Sequence, residues 1–119
     1  MYKLLILIPE LSDPQFELRW PEFLAKAETM PGLLRESTSR VDRVLHGDLP
    51  LMLVHEMYFD SLKAASQALG SLQGESTGNI LHEITSGKVM LFLADHKEDG
   101  LENIRAHAQT DPPQQPKKS

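Results

Sequence analysis

Residues Leu49–Gly70 read LPLMLVHEMYFDSLKAASQALG. The first half is rich in Leu, Met, Val, Tyr and Phe. It is too short to span a bilayer and about the length of a buried strand. At Asp60 the pattern changes. An aspartate there is a good N-cap, its carboxylate able to accept from the free N–H groups of a turn beginning at Ser61. Leu62, Ala65 and Leu69 then recur at helical spacing and Gly70 is a suitable stop. A strand feeding directly into an amphipathic helix predicts a layered fold of strands and helices.

Working outward, residues 2–9 carry a continuous apolar run, Leu4–Ile8, ended by Pro9, which predicts a strand buried on both faces. Ser12 or Asp13 can cap the helix that follows, and Pro14 is tolerated in its first turn. Phe16, Trp20, Leu24 and Ala27 share one helical stripe, Pro21 is expected to interrupt and kink it, and Met30-Pro31-Gly32 ends it. Residues 33–45 read as a half-polar strand, and His46-Gly47-Asp48 as a turn that makes an antiparallel hairpin with Leu51–Phe59. Downstream, residues 71–74 read as a loop. Residues 75–85 read as a short helix with Ile80, Leu81 and Ile84 inward, and Lys88–Ala94 as a last strand. The order is βαββαβ, an α+β ferredoxin-like unit with a four-stranded antiparallel sheet over residues 1–95. Residues 96–119 form a polar extension in which 98–109 can make an amphipathic turn. The final TDPPQQPKKS has little to bury and is expected to be disordered.

Composition excludes several function classes. At 119 residues the chain holds one ordinary core. A net charge of −5, with its only Lys-Lys pair at Lys117-Lys118, argues against a nucleic-acid surface. The absence of cysteine removes disulfides, thiolate metal sites and thiol nucleophiles, and fits a cytoplasmic protein. Residues 4–8 are too short an apolar run for a signal peptide or a membrane span.

The central strand implies a partner. Leu51, Leu53, His55, Met57 and Phe59 point one way, while Met52, Val54, Glu56 and Tyr58 point the other. Both sets are largely apolar, and helices cover only one face. The economical cover for the second is another copy of the chain, so Met52, Val54, Glu56 and Tyr58 are expected at a homodimer interface.

These residues resemble the EthD-like members of the dimeric α/β-barrel superfamily. The matching features are Phe16 and Trp20 on the first helix, Pro31-Gly32-Leu33 entering the second strand, and Glu56-Met57-Tyr58-Phe59-Asp60 leading into the second helix. Ser86-Gly87 before Val89-Met90-Leu91-Phe92 also fits. The likeness spans about residues 2–95. It implies a ferredoxin-like subunit, a homodimer and no dedicated metal or organic cofactor. The chain departs from the family pattern F-x-x-Y-W-x-x-x-H-x-P in the first helix, where Leu24 stands in place of the histidine and Lys26 in place of the proline.

His55 is the foremost candidate for chemistry, since an imidazole gives and takes a proton near neutral pH. A pocket for a small apolar ligand is expected between the first helix and the central strand, walled by Phe16, Trp20, Leu24 and Met57. The bland reading of His55 is a core histidine bonded to a backbone carbonyl or solvent. Glu56 reads as functional or as paired with an Arg or Lys across the dimer, such as Arg40 or Arg43. His46, His96 and His107 read as solvated, and no His, Asp or Glu spacing makes a metal site. Two classes follow: a cofactor-free enzyme acting on a small apolar or aromatic metabolite, or a non-catalytic dimeric domain, ligand-binding or structural.

Overall fold

A computed structural model of the chain describes residues 1–101, and the expectations for 102–119 fall outside the described residues. The elements run β1 (Tyr2–Pro9), α1 (Gln15–Ala27), β2 (Arg35–Arg40), β3 (Leu51–Phe59), α2 (Leu62–Gly70), α3 (Leu72–Thr85) and β4 (Met90–Asp95). The strands make one antiparallel sheet in the order β2-β3-β1-β4. This is the ferredoxin-like arrangement read from the sequence.

The register explains the two faces. Leu4 lies opposite Met57, Ile6 opposite His55 and Ile8 opposite Leu53, so these six residues share the helix side of the sheet. All six are buried. They meet Phe16, Trp20, Phe23 and Ala27 of α1, Ala65 and Ala68 of α2, and Leu81 and Ile84 of α3 in one core. Phe23 of that core is wholly buried. Truncation of a buried phenylalanine to alanine costs about 3–5 kcal/mol.

Several boundaries differ from the sequence reading, each for a local reason. β1 is not buried on both faces: Leu5 and Leu7 are only half-buried, on the side away from the helices. In α1 the buried stripe is Phe16, Trp20, Phe23 and Ala27, with Leu24 at its margin. The helix runs on through Pro21. Asp13 accepts from the Gln15 N–H at 2.9 Å and so satisfies one free donor of the first turn. β2 covers only Arg35–Arg40, because the chain leaves the sheet after Val41 donates to the Met52 carbonyl and loops through residues 41–50. Ser61, not Asp60, caps α2, its hydroxyl accepting from the Ala64 N–H at 3.0 Å. α3 starts at Leu72 instead of 75, because Ser71 closes α2 and opens α3 at once. Ile80 sits half-buried, and Thr77 and Thr85 take inward places beside Leu81 and Ile84. β4 begins two residues later than expected, after a left-handed turn at Ser86-Gly87.

Candidate functional site

His55 lies mid-strand on β3, facing α1, and its side chain has no solvent exposure. The indole of Trp20 meets the imidazole edge-on at 5.4 Å between ring centres, and the ring of Phe23 does so at 5.6 Å. Phe16 and Phe23 flank Trp20 on either side. Phe16, Trp20 and Met57 are therefore brought to His55's neighbourhood as buried core, and Leu24 sits half-buried beside them. The space between α1 and β3 is occupied by these rings. An apolar cleft of about 330 Å³ lies elsewhere, at the end of the sheet, lined by residues that include Leu7, Leu51, Val89 and Met90.

The hydrogen-bond partners of His55 are side chains, neither backbone carbonyl nor solvent. Nδ1 is 2.8 Å from Thr38 Oγ1 and Nε2 is 2.7 Å from Glu36 Oε1. Thr38 pairs in register with His55 and Glu36 with Met57, so the carboxylate reaches diagonally along β3. Burial pulls the imidazole below its ordinary value, against the opposing pull of Glu36 and, more weakly, Glu56. A neutral ring has one N–H, and a carboxylate can only accept it. Nε2–H therefore donates to Glu36, and Nδ1 accepts from the Thr38 hydroxyl. The result is a hydroxyl–imidazole–carboxylate chain with its base buried and its hydroxyl on the exposed edge strand.

Neither Glu36 nor Thr38 was a sequence candidate. A hairpin centred on His46-Gly47 pairs Thr38 with His55 and Glu36 with Met57, the observed register, but the turn His46-Gly47-Asp48 does not by itself fix that centre.

The other face carries a different arrangement. Glu56 pairs with Lys3 of the neighbouring strand in its own chain, and both are mostly buried. Arg40 is instead held by Glu17 of α1 at 3.0 Å, and Arg43 by its neighbour Asp42. Within its own chain the partner of Glu56 is thus a lysine one strand away. Tyr58 lies under the Arg35 guanidinium at 3.8 Å, with His96 against its edge. His96 is not simply solvated, since Nε2 also bonds Glu98 at 2.8 Å. Next to this polar end, Leu5, Leu7, Met52 and Val54 are half-buried and Met90 and Phe92 are exposed. No helix among the described residues is long and apolar enough to cross a membrane, and no three described His, Asp or Glu side chains gather as a metal site.

No family model and no curated protein sequence matches the chain. Solved structures do. An EthD (ethyl tert-butyl ether d) family protein from Bacillus halodurans C-125 superimposes with a TM-score of 0.74 at 22% identity, over 82% of this chain and 99% of that one. The chain is EthD-like in its fold. A dimeric ferredoxin-like protein of unknown function from Jannaschia sp. CCS1 matches with a TM-score of 0.62 at 16% identity, over 80% and 97% of the two chains. SnoaB, a cofactor-independent oxygenase from Streptomyces nogalater, matches at 0.59 and 14%, over 82% and 93%. At these identities the likeness establishes the fold. Activity has to be argued from the site.

Proposed function

We propose that this protein is an EthD-like homodimer that works as a cofactor-free enzyme, moving protons on a small apolar or aromatic metabolite with His55 as its acid–base group. The observation that carries this reading is the chain Glu36–His55–Thr38, an imidazole oriented by a carboxylate and bonded to the hydroxyl of an exposed edge-strand residue. Orientation by a second group is what a general base needs in order to hold one tautomer. Trp20 and Phe23 supply a low-dielectric wall around it, and the fold it shares with a cofactor-independent oxygenase adds support. The apolar open face, with Met52 and Val54 beside Glu56 and Tyr58, supports the dimer, as do similar structures that are themselves dimeric.

A second reading is a non-catalytic dimeric domain, ligand-binding or structural, in which His55 ties the edge strand to the core. The specific observation in its favour is the complete burial of the ring, together with Leu24 at the helix position. Incubating the protein and its His55→Gln variant with a metabolite extract, followed by mass spectrometry, separates the two. A compound consumed by the native protein and spared by the variant supports the enzyme. A compound retained unchanged by both supports the binding domain.

A further inference from the structure

We propose that Thr38 is a nucleophile and that the chain transfers acyl groups from small, uncharged esters through an acyl-threonine. The proposal rests on the acid–base reading of His55 above and gives it a covalent step and a substrate class.

The order of groups is the one acyl transfer requires. A hydroxyl is a poor nucleophile until a base takes its proton, and the base must be held in the right tautomer by a third group. Thr38 Oγ1 is within reach of Nδ1 at 2.8 Å, and Glu36 holds the opposite nitrogen at 2.7 Å. Burial answers the question of access. The imidazole is closed off, yet Thr38 stands exposed on β2, an edge strand. An acyl carbon can therefore approach Oγ1 from solvent while the base works from behind.

The strand edge also supplies donors for the developing oxyanion. Along an antiparallel edge strand the N–H groups alternate between the neighbouring strand and open solvent. Val41 donates inward to the Met52 carbonyl, so the same parity turns Ser39 and Ser37 inward and leaves the N–H groups of Thr38 and Arg40 facing out. A nucleophile's own N–H is a usual member of an oxyanion hole. The substrate class follows from charge. Arg40, the cation next along this face, is held by Glu17 through two hydrogen bonds of 3.0 Å, and Glu36 lies on the other side. No free cation among these groups invites an anionic substrate.

The step balances without a cofactor. Oγ1 attacks the ester carbonyl carbon as its proton passes to Nδ1. The tetrahedral adduct expels the alcohol oxygen, which takes that proton back. Water then attacks the acyl-threonine carbonyl, giving a proton to Nδ1, and the C–Oγ1 bond breaks to return the hydroxyl and release a carboxylic acid.

The test uses the full chain with p-nitrophenyl acetate, reading p-nitrophenol release together with intact-mass and peptide-mapping analysis. The expected result is an acetyl group on Thr38 and release that falls about 10²–10⁴-fold in both Thr38→Ala and His55→Gln, with Thr38→Ser retaining it. Circular dichroism confirms that each variant is folded, and Thr38→Ser keeps the question decidable should Thr38→Ala unfold. Acetyl groups found only on lysines, or release unchanged in Thr38→Ala, overturns the proposal. Metabolite conversion that needs His55 while Thr38 stays unacylated overturns this proposal alone and leaves the proton-transfer reading standing.

Discussion

Glu36 on the edge strand reaches past its register partner Met57 to bond His55 at 2.7 Å, so the buried imidazole is fixed by a carboxylate from a different strand. Burial nevertheless dominates, and the folded state holds His55 below its ordinary value of 6.5. Its neutral form is therefore favoured by folding.

The sign of the pH dependence follows. Above about 6.5 the ring is neutral in both folded and unfolded chains, and its contribution is fully present. As pH falls through 6.5 the unfolded chain takes up the proton first. Stability is then lost progressively until the folded-state value is passed. The charged groups acting on the ring are Glu36 from β2 and, across β3, Glu56; α1 packs the rings of Trp20 and Phe23 against it. Thermal unfolding measured from about pH 8 to pH 5 is expected to show this decline in the native protein and a flatter profile in His55→Gln. Parallel profiles would show that His55 contributes nothing to it.

The faces of β3 were legible in the sequence because strand alternation is local: LMLVHEMYF sorts into two sets without knowledge of its neighbours. His55 was legible for the same reason. Its partners were not, because Glu36 and Thr38 reach it only through the hairpin register, and RESTSR by itself reads as solvated polar edge. The in-chain partner of Glu56 is hidden in a similar way. Lys3 lies far away in sequence and adjacent in space, since β1 inserts beside β3 only once the sheet order is known. The α2–α3 corner departs from the sequence expectation because Ser71 serves two helices, a double role that propensity arguments on either helix alone do not suggest.

Lys3 and Glu56 make a mostly buried ion pair, so removing one partner should be felt more than at a surface pair. Lys3→Met leaves the Glu56 carboxylate without its cation and is expected to destabilise the chain by about 1–3 kcal/mol. The double variant with Glu56→Gln should recover part of that loss, because no buried charge is then left alone. Urea unfolding of the two single variants and the double variant measures the coupling. Strict additivity would mean that the pair is no more than a surface contact.

The open sheet face is expected to close against a second copy. Val54 is half-buried at the middle of that face, with Leu5 and Leu7 on the next strand. Val54→Arg places a cation there without disturbing the core on the other side, and should convert a dimer into a folded monomer. Light scattering at micromolar concentration reads the outcome. A native protein that is already monomeric, or a variant that stays dimeric, would place the interface elsewhere or dispense with it.

The corner between α2 and α3 makes the last prediction. Ser71 donates its hydroxyl to the Ala68 carbonyl at 2.6 Å and accepts from the Gly74 N–H at 3.0 Å, which turns the chain from one helix into the next within a single residue. The turn is tight enough that a Cβ on Gly74 would strike the Ala68 carbonyl oxygen and lie 2.7 Å from that of Leu69. Both obstacles are backbone, so neither can swing aside as a side chain would. Helix propensity alone argues that Gly74→Ala should stabilise α3 by about 1 kcal/mol. Overpacking of this kind typically costs about 1–3 kcal/mol and here should prevail. The substitution is therefore expected to lower stability, while Gly78→Ala, one turn further along α3 with open space around it, should raise it slightly. Chemical denaturation of the two variants side by side decides the matter. A stabilised Gly74→Ala would mean that the two helices can move apart at Ser71 at little cost.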